Sequence, residues 1–202
     1  MNPRLVWNFE FSSKTNAPVP HFTEENTDDL KWEIRYFWPE NEIIILNPIA
    51  PSLLDLANYK RKHKEDYYYL LPERNYNIKK RNDQLLYKPL LKQNNQAAGY
   101  GAKIILTSPN DQSLPSDLQK IIPQIETDGV GVYVKKEAFI YKFPTTPAIK
   151  IELARLEVLH KVYFSLCIEG KSHHLVETIS KHLLDKPVSC EYVTFLKNLL
   201  KL

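Results

Sequence analysis

KWEIRYFW occupies residues 31–38 and alternates along its whole length. Successive side chains of an extended chain leave on opposite faces. Lys31, Glu33 and Arg35 therefore share one face, and Trp32, Ile34 and Tyr36 share the other. This pattern predicts a strand with one charged and one apolar side. It recurs in four further stretches. NYNIKKR at 75–81 sets Asn77, Lys79 and Arg81 against Tyr76 and Ile78, and LLYKPLL at 85–91 puts Lys88 with Leu86 and Leu90. IKIELARLEVL at 149–159 separates Lys150, Glu152 and Ala154 from Ile149, Ile151 and Leu153. VYFSLCIEG at 162–170 separates Ser165, Cys167 and Glu169 from Phe164, Leu166 and Ile168.

DYYYLL at 66–71 and GVYVKKEAFIYKF at 131–143 add strands by aromatic and β-branched content, AKIILTS at 102–108 adds another, and LVWNFEF at 5–11 reads as an edge strand. Asn82-Asp83 is turn chemistry for a hairpin between the strands at 75–81 and 85–91. NEIIILN extends the strand at 31–38 or forms its own, and QNNQAAGYG at 93–101 reads as a loop. Helices are expected over SLLDLANYKRKH, with KRKHK at 60–64 as its solvated end and nucleic-acid or polyphosphate contact there as a minor alternative. Others are expected over DLQKIIPQI capped by Ser116, HHLVETISKHLL capped by Ser172, and CEYVTFLKNLL capped by Ser189. Residues 1–30, with Pro18, Pro20 and the acids Glu24, Glu25, Asp28 and Asp29, read as an extension to a single domain over 31–202. The fold class is α+β, built on a meandering antiparallel sheet or a closed barrel.

The 202 residues carry a net charge of only +3, but unevenly. Residues 1–59 hold 4 basic and 9 acidic side chains, whereas residues 60–92 hold 10 basic and 4 acidic. With 43% hydrophobic and 25% charged residues the chain reads as a globular protein. No apolar run approaches the ~20 residues a bilayer requires, and the start lacks a basic segment followed by an apolar one. Two cysteines give neither a disulfide framework nor a four-ligand zinc site, so a cytoplasmic setting is expected. No glycine-rich phosphate loop of the G-x-G-x-x-G or P-loop type occurs among the five glycines. If the strands curl with their charged faces inward, they enclose a basic lining with a few carboxylates, which suits a polyphosphate.

These stretches, taken in order, resemble the CYTH superfamily of triphosphate tunnel metalloenzymes. Its members include thiamine triphosphatases, inorganic triphosphatases, RNA triphosphatases and class IV adenylate cyclases. KWEIR stands where the family has E-x-E-x-K, DYYYL where it has an aromatic strand, NYNIKKR where it has L-R-I-R, and LLYKPLL where a strand ends in Tyr-Lys. VYVKKEAFIYKF, IELARLEV, FSLCIEG and SCEYVTFLKNLL follow in the family's order. The resemblance implies an eight-stranded antiparallel tunnel with flanking short helices. It implies Glu33 and Arg35 as catalytic, and Lys79, Arg81, Lys88, Lys135 and Lys136 as substrate-binding. It implies Glu33, Glu152 and Glu169 as ligands of Mg²⁺ or Mn²⁺. The activity implied is metal-dependent hydrolysis of a triphosphate-containing small molecule or of inorganic polyphosphate. No membrane or nucleic-acid partner is expected. Three positions where the family carries acids hold Lys31, Ala154 and Cys167 instead. Each replacement removes a hard oxygen ligand. That raises the alternative of a binding module that has kept its cations and lost its metal; cyclase activity ranks third, since it too needs a metal.

Overall fold

A computed structural model describes residues 2–13, 27–94, 96–107, 115–185 and 187–202. Pro18, Pro20, Glu24 and Glu25, read from the sequence as part of an extension, lie outside them. Thirteen strands form two sheets. The small one joins β1 (Arg4–Val6), β2 (Phe9–Phe11) and β4 (Ile44–Leu46) in the order β1-β2-β4. The first two are antiparallel and β2 runs parallel to β4. The large sheet holds β3 (Lys31–Pro39), β5 (Lys60–Leu71), β6 (Arg74–Arg81), β7 (Gln84–Lys88) and β8 (Leu90–Asn94). It continues with β9 (Ala97–Tyr100), β10 (Ile104–Ile105), β11 (Val130–Lys142), β12 (Lys150–Val158) and β13 (Lys161–Gly170). Its order is β10-β7-β6-β5-β11-β12-β13-β3-β9-β8, antiparallel throughout.

The count is ten segments in that sheet, against the eight strands expected. One hairpin accounts for the difference. Pro89 separates β7 from β8 because it has no N–H for the ladder. Opposite it, residues 101–103 separate β9 from β10. Both halves keep pairing in the same sense, Leu90 with Tyr100 and Tyr87 with Ile104. The segment at 84–94 thus lies beside β6 in its first half, while its second half lies at the far end of the sheet, beyond β3 and β9. The stretch 93–101, expected as a loop, supplies half of this hairpin.

KRKHK also departs from expectation. Pro51–Leu54 and Leu56–Asn58 form only two short 3-10 turns, and residues 60–64 are the first half of β5. Alternate side chains at 60, 62 and 64 continue the two-faced pattern of the tyrosines that follow. The turn at Asn82-Asp83 holds, with both residues at positive φ, 48° and 61°, as a tight hairpin between right-twisted strands demands.

Among the described residues four α-helical segments are present: α1 (Ser116–Gln119) and α2 (Ile121–Asp128) between β10 and β11, and α3 (His173–Leu183) and α4 (Tyr192–Leu200) after β13. Ser172 caps α3 by accepting from the Leu175 N–H. Ser116 and Ser189 are not caps: Pro115 and Glu191 hold those positions without a side-chain bond. The outer apolar face of the large sheet packs with the small sheet and α3 around Trp32, Ile34, Tyr36, Phe9 and Phe11. A second core lies around α4, where Tyr192, Val193, Phe195 and Leu196 join Tyr68, Ala138 and Ala154. The Phe195 ring stacks on Phe37 at 3.8 Å. Phe37 follows Glu33 and Arg35 on the charged face of β3, so α4 fills one end of the concave side. Ala154, where the resemblance expects an acid, is fully buried in this core.

Candidate anion-binding cavity

The concave face of the large sheet surrounds a cavity of about 790 Å³. Every strand expected to turn a charged face inward contributes to it. Lys31, Glu33 and Arg35 come from β3; Asn77, Lys79 and Arg81 from β6; Lys88 from β7; Lys136 from β11; and Lys150, Glu152 and Glu169 from β12 and β13. Thirteen lining residues are basic and four are acidic. Lys135 does not line the cavity: it neighbours Lys136 on a strand, so it leaves on the other side, where it is exposed.

Arg35 is the centre of the site. Its guanidinium donates to Glu33 at 2.9 Å, to Glu152 at 3.2 Å and to the Ser165 hydroxyl at 3.2 Å. Lys88 Nζ donates to the other oxygen of Glu33 at 2.9 Å, and Lys136 Nζ to Glu152 at 2.7 Å. The side chains of Arg35, Glu33 and Glu152 are all buried. Burial alone would push both carboxyls up, but Lys88 and Arg35 hold Glu33 well below the ordinary carboxylate range, and Lys136 and Arg35 do the same for Glu152. Beside this chain, Asp66 accepts both Arg81 (2.5 Å to each oxygen) and Lys79 (3.1 Å), and these overcome its burial to lower it as well. Lys31 Nζ lies 2.7 Å from Glu169.

Three tyrosines floor these cations. Arg35 lies 5.2 Å from the Tyr192 ring centre, Lys79 lies 5.2 Å from that of Tyr68, and Lys88 lies 3.7 Å from that of Tyr100. Ring faces below and carboxylates beside them hold the cations in place. Lys60, Lys62, Lys64, Lys103, Lys142 and Lys171 also line the cavity and were missed as site residues. For the first three the signal was present in the spacing of KRKHK, read as helical rather than as period two.

The donors do not fit the divalent ion that the resemblance implies. Glu33, Cys167 and Glu169 bring donor atoms within 4.8 Å of one another, and Glu152 is not in that group. One of the three is a thiol, fully buried and pushed well up by that burial. A thiol suits neither Mg²⁺ nor Mn²⁺. The two carboxylates already face Lys31, Arg35 and Lys88. A dication would have to displace or repel those cations.

No protein-family model matches this chain, and no curated protein matches it. Two solved structures are similar in shape. One is an adenylyl-cyclase candidate from Hippeastrum described with a dominant triphosphatase activity. It has 10% identity, covers 75% of this chain and 84% of its own, and has a TM-score of 0.44. The other is an adenylate-cyclase candidate from Bacillus halodurans, with 8% identity, 76% and 92% coverage, and a TM-score of 0.36. The segments that carry the sequence resemblance fall in order on β3, β5, β6, β7, β11, β12, β13 and α4, around one basic cavity. That order around one cavity is the order the sequence resemblance implies. Among the described residues, no helix is long and apolar enough to cross a membrane.

Proposed function

We propose that the curled sheet acts as a tunnel of eight continuous strands that binds a triphosphate or related polyanion through its own cations, without a divalent metal. The shared sense of pairing on both sides of Pro89 supports the continuity of the strands. The observation that carries the binding reading is the lining: thirteen bases against four acids in one cavity, with the deepest bases already fixed by carboxylates and tyrosine rings. Held cations pay little ordering entropy when an anion arrives. Arg35, Lys79, Arg81 and Lys88 would receive the phosphate oxygens as charge-assisted hydrogen bonds. Titration calorimetry with tripolyphosphate in EDTA at low salt tests this. Binding is expected, and Lys79→Ala should weaken it by tenfold or more; no heat of binding to the wild type would defeat the reading.

Metal-dependent hydrolysis of a triphosphate is the second reading. What favours it is that Glu33 and Glu169 are cross-strand partners whose carboxylates converge. Release of phosphate from tripolyphosphate only with Mg²⁺ or Mn²⁺ would establish it over the first.

A further inference from the structure

The cations of the cavity fall into two sets. Arg35, Lys79, Arg81, Lys88, Lys136 and Lys31 each have a carboxylate partner. Lys60, Lys62, Lys103, Lys142, Lys150 and Lys171 line the same cavity, are exposed, and have no carboxylate partner among the described residues. These six stand on β5, between β9 and β10, on β11, on β12 and just after β13. Five of them stand on or beside the adjacent strands β5, β11, β12 and β13, and Lys103 stands apart from these, between β9 and β10. Burial along β5 increases from exposed Lys60 and Lys62 to buried Tyr68, so on that strand the lysines stand outward of the tyrosine, and the other four lysines are likewise exposed.

Cations gathered at one opening attract an anion from solution, and those nearest the inner set also feel its charge. Burial, and Lys136 beside it, lower Lys64 to about 8, and burial with the nearby Lys79 and Arg81 lowers Lys103. Among the described residues the aromatic side chains lining the cavity are Tyr68, Tyr100 and Tyr192, and these lie beneath inner cations. A nucleobase at the mouth would have no ring to stack on.

We infer that the rim is a second anion tier, and that the ligand is a base-free molecule carrying more phosphates than a triphosphate, the first among the inner cations and the rest on the rim lysines. The inference rests on the polyanion reading above and names its ligand class. A phosphorylated cyclic polyol and a linear polyphosphate share that chemistry.

The test is calorimetry on the full chain and on the rim variant Lys60→Ala/Lys150→Ala/Lys171→Ala, which alters only exposed side chains. The probes are tripolyphosphate, ATP, linear hexaphosphate and inositol hexakisphosphate. The wild type should bind at least one hexaphosphate about tenfold or more tighter than tripolyphosphate, the sum of several weak exposed ion pairs. The variant should lose that gain and keep its tripolyphosphate affinity within about threefold, the loss expected when exposed charges outside the contact are removed. ATP should bind no tighter than tripolyphosphate. The hexaphosphate that gains more from the rim identifies the ring or the chain as the source. Equal weakening of tripolyphosphate and hexaphosphate in the variant, no hexaphosphate gain in the wild type, or ATP as the tightest ligand would overturn the second tier. Failure of the wild type to bind tripolyphosphate at all would instead defeat the polyanion reading beneath it.

Discussion

Lys88 and Lys150 are the same residue type in one cavity, and their circumstances are opposite. Lys88 is held between Glu33 and the face of Tyr100, whereas Lys150 is exposed and has no carboxylate partner among the described residues. The inner set is part of what holds the barrel's interior together, since buried carboxylates and cations there satisfy one another. The rim set holds nothing in place. Sequence alone shows both as lysine on the inward face of a strand, and only their neighbours separate a structural cation from a free one.

Substitutions should separate the sets most sharply at Arg35. Arg35→Ala leaves Glu33 and Glu152 short of a shared buried partner and should cost about 3–5 kcal/mol of stability, read by urea unfolding. A loss no greater than that of a rim lysine would erase the distinction. Next in size, Lys88→Ala should weaken tripolyphosphate by about 1.5–3 kcal/mol, measured by calorimetry, since it removes a charge-assisted bond. Acid should act on the inner set alone. The lowered carboxyls of Glu33, Glu152 and Asp66 contribute stability that is fully present above their ordinary values of 4.5 and 3.8 and is lost as pH falls below them. An unfolding profile flat through that range would contradict the ion-pair network.

Lys64 lies between the sets and should give a smaller effect of the same sign, in an alkaline window. Its value near 8 lies below the ordinary 10.5, so the unfolded chain binds its proton more readily over that window. Its contribution to stability therefore rises with pH from about 8 to 10.5. Lys64→Met should remove that slope in unfolding measured across the range. A bound polyanion should restore the proton, which would appear as uptake in calorimetry with buffers of different ionisation heat. Smallest of all, Lys135→Ala should leave tripolyphosphate affinity unchanged, while Lys136→Ala one position later should weaken it.

The contrast between Lys135 and Lys136 shows how far the sequence reached. Strand period placed the inward faces of β3, β6, β12 and β13 correctly, because burial on one side forces strict alternation. It could not choose between two adjacent lysines without the register that pairs Lys136 with Lys64. Residues 60–64 were misread because KRKHK has no apolar residue to reveal its period, and the helix suggested by SLLDLANY was carried across it. The hairpin at 84–105 was obscured by Pro89 and by small residues at Ala97, Ala98 and Gly99, whose burial comes from neighbours distant in sequence. Ala154 and Cys167 were legible as inward-facing positions without the acids that the resemblance implies. What was not legible is that α4 fills the end of the concave face where Ala154 lies.

The rim lysines, without carboxylate partners among the described residues, bear on time as well as on affinity. Charges without local counter-charges project their field outward, and that field falls off over roughly 8–10 Å at ordinary ionic strength. Anions should be drawn to the mouth faster than diffusion to a neutral opening would bring them, and added salt should slow capture steeply. Release, in contrast, would be governed by the floor, where bonds are short and shielded from salt. Arrival and departure would thus be set by different lysines, so each rate could be altered with little change in the other.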